Sequence, residues 1–119
     1  MRPIVYIESS IISYLTARPS RDVVTASRQA ITAEWWRDRR VFFEVYISAL
    51  VVEEISGGDP IAAAQRMQAV ASITSLETTA QAEILAEILL QSKAVPANSA
   101  RDALHIAIAA TQGVACVAA

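Results

Sequence analysis

Three acidic residues stand where the surrounding sequence asks for a core. Glu8 closes the apolar run Pro3-Ile4-Val5-Tyr6-Ile7, Glu54 lies in Ser48-Ala49-Leu50-Val51-Val52-Glu53-Glu54-Ile55, and Asp102 opens Arg101-Asp102-Ala103-Leu104-His105-Ile106-Ala107-Ile108-Ala109. A lone buried carboxylate is expensive and tends to neutralise, whereas several meeting at one point are relieved by a shared divalent cation. That pattern suggests a metal-dependent site.

Each acid also has a plainer reading. With Ala49 to Ser56 taken as a helix at ~100° per residue, Leu50, Val51 and Ile55 mark the inner face; Glu54 falls inside that arc and Glu53 points away. The alternative is an exposed Glu54 in another register. Asp102 follows Ser99 by three positions, which fits a capping box, but it also shares a face with Ile106 at the positive end of an apolar helix, which suits a metal ligand. Glu8 is either a site residue or a strand-end surface acid. Ser9 and Ser10 read as helix caps that order the loop and at most help position water or a substrate phosphate. His105, on an apolar helix, reads as a satisfied core residue. Trp35 and Trp36 read as core or partner-helix contacts, with base stacking as the rival.

The elements that must position these residues alternate. Residues 3 to 7 form a short strand apolar throughout, as expected where both faces are covered. A helix follows, capped by Ser9 or Ser10 and ending near Arg18-Pro19. A long amphipathic helix is expected from Ser20 or Arg21 to Arg40, carrying Val23, Val24, Ala30, Ile31, Trp35 and Trp36. Phe42 to Ile47 reads as a strand and Ala49 to Ser56 as a short helix. Gly57-Gly58-Asp59-Pro60 is the clearest break, with Asp59 capping a helix that runs to about Ala71. A weak strand, Ile73 to Leu76, precedes a helix from Thr78 or Thr79 to Gln91 with Ile84, Leu85, Ile88 and Leu89 inward. The last helix spans about Asn98 or Ser99 to Gln112, and Val114 to Val117 begins a strand. Alternating strands and helices imply an α/β fold with a largely parallel sheet, whose ligand site lies beyond the strands' carboxyl ends. Glu8 is expected there.

At 119 residues, 54% of them hydrophobic, one domain over residues 1–119 is expected. Net charge is −2, so no global positive field draws the chain to nucleic acid or membrane. Seven of the ten basic residues lie in the first forty positions, so any phosphate-binding surface is local and built of arginine; the plainer reading is that these arginines solvate the polar face of a long helix. A single cysteine, Cys116, excludes an internal disulfide and favours a reducing compartment. No secretory signal opens the chain, and no stretch approaches the ~18 apolar residues of a membrane span. A soluble, cytoplasmic protein is expected.

Read together, Val5-Tyr6-Ile7-Glu8-Ser9-Ser10-Ile11-Ile12-Ser13-Tyr14-Leu15-Thr16-Ala17-Arg18-Pro19, then Ser48 to Glu54, then Asp102-Ala103-Leu104-His105-Ile106-Ala107 resemble the PIN domain, in particular the bacterial VapC-like toxins of type II toxin–antitoxin systems. The resemblance implies a three-layer α/β/α fold on a parallel sheet. It also implies a Mg²⁺- or Mn²⁺-dependent endoribonuclease, in which carboxylates hold the ion and the ion activates water for in-line attack on an RNA phosphodiester. Carried over by position, Glu8, Glu54 and Asp102 are the catalytic and metal-binding residues, supported by Ser9 or Ser10. A cognate antitoxin and a homodimer come with the likeness. Two departures stand out: Glu8 replaces the family's usual Asp, and the chain stops where family members continue through a further strand, so the final strand is expected to be truncated or missing.

A second reading is a catalytically defective PIN-like module that binds antitoxin or RNA without cleaving. A third, a receiver-like phosphoacceptor domain, wants a lysine at a late strand end, whereas Lys93 falls in an expected loop.

Overall fold

In the computed structural model, residues 2–113 and 116–118 are described. Four strands, β1 (Ile4–Ile7), β2 (Glu44–Ser48), β3 (Thr74–Leu76) and β4 (Cys116–Ala118), form one sheet in the order β3-β2-β1-β4. Every pairing is parallel, with Tyr6 opposite Tyr46 on one side and Val117 on the other. Val5, Tyr6 and Ile7 are all buried, which explains an apolar run without alternation: β1 is central and covered on both faces. The strand expected to be truncated or missing is therefore present and short. Of the residues expected to begin it, 114 and 115 lie outside the described ones.

Among the described residues six α-helices connect and cover the strands: α1 (Ser9–Thr16), α2 (Val23–Glu34), α3 (Ala49–Ile55), α4 (Pro60–Ala69), α5 (Ala80–Gln91) and α6 (Ala100–Thr111). Helix α1 packs against α2, α3 and α4, α3 also meets α4, and α5 packs along α6. Most starts follow local chemistry. Ser48, Asp59 and Thr79 each accept a hydrogen bond from an amide in the first turn, and Pro60 sits at the first helical position. At α1 the expected serine cap is replaced by Glu8, whose carboxylate accepts the Ser10 amide; Ser9 and Ser10 lie inside the first turn.

The long helix expected to reach Arg40 stops being α-helical at Glu34 and continues as a π turn over Trp35–Arg39 and a 3₁₀ turn over Arg40–Phe42. The widened turn lets two consecutive indoles pack on the core, Trp35 with its ring 5.7 Å from Phe43 and Trp36 beneath the Arg40 guanidinium at 4.3 Å. This is the core-contact reading of both tryptophans. By contrast Val23, Val24 and Ile31 are exposed, and the buried residue of α2 is Thr32.

Helix α5 also turns differently from expectation. Ile84 and Ile88 face solvent, while Ala82 and Ala86 are buried, with Leu85 and Leu89 partly so. The partner explains it: α6 buries Ala103 and Ala107, and small residues on both helices allow close approach. The core is completed by Ile12, Ile47, Val51, Ile55 and Ile108, each essentially inaccessible and each contributing roughly 2–3 kcal/mol of burial.

Candidate active site

The residue after β1 is Glu8, in extended backbone at the carboxyl end of the sheet's central strand. Its Oε1 accepts the Ser10 amide at 3.0 Å and also the Ser10 hydroxyl. Burial pushes the Glu8 carboxyl above its ordinary value; the Ser10 amide and His105 oppose the shift, and the negative charges of Glu54 and Asp102 add to it. Acids from two distant segments thus bear on Glu8 at this end of the sheet.

The inner-face register expected for α3 is met. Leu50, Val51 and Ile55 are buried and Glu54 is partly so, with its side chain 18% exposed against 69% for Glu53. Glu54 Oε1 lies 2.8 Å from His105 Nε2, and Oε2 lies 3.6 Å from an Arg101 guanidinium nitrogen. That guanidinium also reaches Glu53 at 3.3 Å. The expectation of a satisfied core histidine is met too, for His105 is 4% exposed, and its partner is a site acid.

Asp102 stands in the first turn of α6, exposed, one turn before His105 on the same side. The capping box is not formed. Ser99 makes no side-chain cap bond, and its own amide donates to the Pro96 carbonyl at 2.9 Å, which removes the donor that Asp102 would need. Among the described residues no hydrogen bond engages the Asp102 carboxylate.

Three further residues escaped the sequence reading. Tyr6 Oη lies 2.7 Å from Ser48 Oγ and 2.6 Å from His105 Nδ1, and Arg101 lies across the acids of α3. The available signals were a phenol inside an all-apolar strand and a cation beside Asp102.

The acids gather without closing into a cage. Among the described residues, no three His, Cys, Asp or Glu side chains stand close enough together to hold a metal ion as they are placed. Each buried-side carboxylate is turned to its own donor, Glu8 to Ser10 and Glu54 to His105. The donor set still fits a hard divalent cation, since carboxylate oxygens are its preferred ligands and the raised Glu8 carboxyl marks a place where added positive charge is favourable. Beside Ser10 opens a groove of about 520 Å³ lined by Ser10, Ile11, Tyr14, Arg28, Ile31 and Thr32.

A parallel α/β sheet with acids drawn from separate segments to the end of its central strand defines a class of proteins suited to binding phosphate esters through a cation. Within that class this chain belongs to the PIN domain family, whose sequence model matches residues 5–119. PIN domains are generally nucleases that need a divalent metal, so the coarse function is nucleic-acid hydrolysis. Neither the curated proteins nor the solved structures compared with it yield a match. Among the described residues no helix is long and apolar enough to cross a membrane.

Proposed function

We propose that residues 1–119 act as one PIN-domain unit, a Mg²⁺- or Mn²⁺-dependent endoribonuclease of the VapC-like class, working in the cytoplasm as the toxin of a toxin–antitoxin pair. One observation carries the reading: a half-buried glutamate, Glu8, at the carboxyl end of a buried strand in a chain that the PIN family model matches over residues 5–119. Glu8, Glu54 and Asp102 are the residues that would hold the ion. When bound, the ion supplies positive charge that offsets their repulsion and polarises a phosphodiester. Ser10 fixes the Glu8 side chain, Ser9 shares the same first turn, and Arg101 offers a guanidinium suited to a phosphate oxygen. Exposed Ile31 in the wall of the Ser10 groove, Val23 and Val24 at the start of α2, and Ile84 and Ile88 on α5 are apolar surface consistent with an antitoxin peptide and a second copy of the chain.

The test is cleavage of an RNA panel with Mg²⁺, with Mn²⁺ and with chelator, by the wild type and by Glu8→Gln and Asp102→Asn. Metal-dependent cleavage lost in both variants is the expected result. A second reading, a PIN-like module that binds antitoxin or RNA without cutting it, is favoured by the absence of a ready-made cage among the described residues. Metal-independent RNA binding with no cleavage in either metal would establish that module and remove the nuclease.

A further inference from the structure

Glu54 is approached from the interior by a line of hydrogen bonds that the proposed chemistry does not use. The Val51 amide donates to Ser48 Oγ at 3.2 Å, Ser48 Oγ and Tyr6 Oη are 2.7 Å apart, Tyr6 Oη and His105 Nδ1 are 2.6 Å apart, and His105 Nε2 meets Glu54 Oε1 at 2.8 Å. Tyr6 and Ser48 are wholly inaccessible. The line draws on β1, the end of β2 and α6, whose residues lie 42 and 99 positions apart in the chain.

The direction of every bond follows from its two ends. An ionised carboxylate only accepts, so the imidazole proton shared with Glu54 sits on Nε2. In the neutral ring with that tautomer Nδ1 accepts, and the Tyr6 hydroxyl donates to it. With its one proton so placed, Tyr6 accepts from Ser48, whose oxygen accepts from Val51. Each hydroxyl then gives one bond and takes one, and among the described residues no buried side-chain polar atom is left without a partner.

We propose that Ser48, Tyr6 and His105 are positioning residues that clamp Glu54 by Oε1 and leave Oε2 as its coordinating oxygen. The proposal rests on the reading of Glu54 as a metal ligand. Apolar side chains would fill the same volume without the cost of burying three polar groups, so the fold's retention of a fully connected polar line calls for a role beyond packing. From the solvent side, Arg101 is 57% exposed and shared with Glu53, which makes it a poor orienting group. The interior line has the form of an outer shell that sets the angle of a ligating side chain.

The chain holds one histidine, so a ¹⁵N spectrum of labelled protein reads His105 alone. It is expected to show the proton on Nε2. Mn²⁺ titration followed by electron paramagnetic resonance then compares wild type, Tyr6→Phe, His105→Leu and His105→Gln, each first checked for a cooperative thermal transition. Tyr6→Phe and His105→Leu should weaken Mn²⁺ binding about 10–100-fold and lower kcat on RNA with KM unchanged. His105→Gln, whose amide can still donate to Glu54, should recover most of the affinity. Tyr6→Phe keeps the ring in the core and carries the test should His105→Leu not fold. Folded variants that bind Mn²⁺ as tightly as wild type, or an imidazole protonated on Nδ1 alone, would overturn the clamp while leaving the nuclease reading intact. A wild type that binds no Mn²⁺ would overturn both, and that result is read before any variant is made.

Discussion

Tyr6 carries a hydroxyl into the centre of the sheet, and its environment opposes ionisation. Burial pushes the phenol up to about 12 from an ordinary 10.0; the Ser48 hydrogen bond works against the shift, and the charges of Glu54 and Glu8 add to it. Because the folded value lies above the unfolded one, this contribution to stability is fully present below pH 10 and is lost as pH rises toward 12, on the order of 2–3 kcal/mol. Ultraviolet titration should find one of the three tyrosines ionising only as the protein unfolds, and Tyr6→Phe should abolish that late step. Arg101 makes a different prediction. Its cation competes with any metal at Glu54, so Arg101→Ala should tighten Mn²⁺ binding roughly threefold to tenfold, read by the same titration, and a weakened affinity would show instead that Arg101 organises the acids. The acids themselves were legible in the sequence because a charge inside an apolar run breaks a local rule. The bonds that join Tyr6, Ser48 and His105 were not, because each residue obeys its own segment and meets the others only across the fold.

At the scale of elements, caps and small residues set the helices. Asp59→Ala should cost about 1 kcal/mol of stability by chemical denaturation, from loss of the bond to the Ala62 amide. The Asp22 cap has a pH signature. Bonds from the Thr25 amide and hydroxyl hold its carboxyl below the ordinary Asp range, so its contribution is present above the unfolded value and fades as pH falls through the lowered folded one. Hydrogen exchange at the Thr25 amide should accelerate across that acid interval. Between α5 and α6, Ala107→Leu should cost roughly 1–3 kcal/mol, since the site has no exposure and the helices meet through alanines. Helix starts at Asp59 and Thr79 were readable because capping is local. The rotation of α5 and the π turn after Glu34 were not, because hydrophobicity alone favours burying Ile84 over Ala82, and only the closeness of α6 reverses that order.

For the molecule as a whole, metal and fold are linked. An ion bound only to the folded chain should raise its stability by about 2.7 kcal/mol at a hundredfold excess over Kd, seen as a higher Tm with Mn²⁺ and reversed by chelator. Glu8 works in the opposite direction in the metal-free protein. Its raised carboxyl contributes stability at acid pH that is lost as pH rises through the raised value, so at neutral pH Glu8→Gln should melt higher than wild type without metal and gain nothing from Mn²⁺. A variant that melts lower would mean that the bond to Ser10 outweighs the cost of burying the charge and the repulsion of the other acids.

By itself the sequence determined the alternation of strands and helices, the burial of β1 on both faces, the breaks at Gly57-Gly58 and the three acids, because periodicity, turn chemistry and misplaced charge are all written within a few residues. Tertiary structure decided which faces of α2 and α5 are buried, that Asp102 is released from capping because Pro96 takes the Ser99 amide, and that His105 reaches Glu54 rather than ending in apolar core. Those outcomes depend on distances between residues remote in the chain, and such distances are set by how whole elements pack.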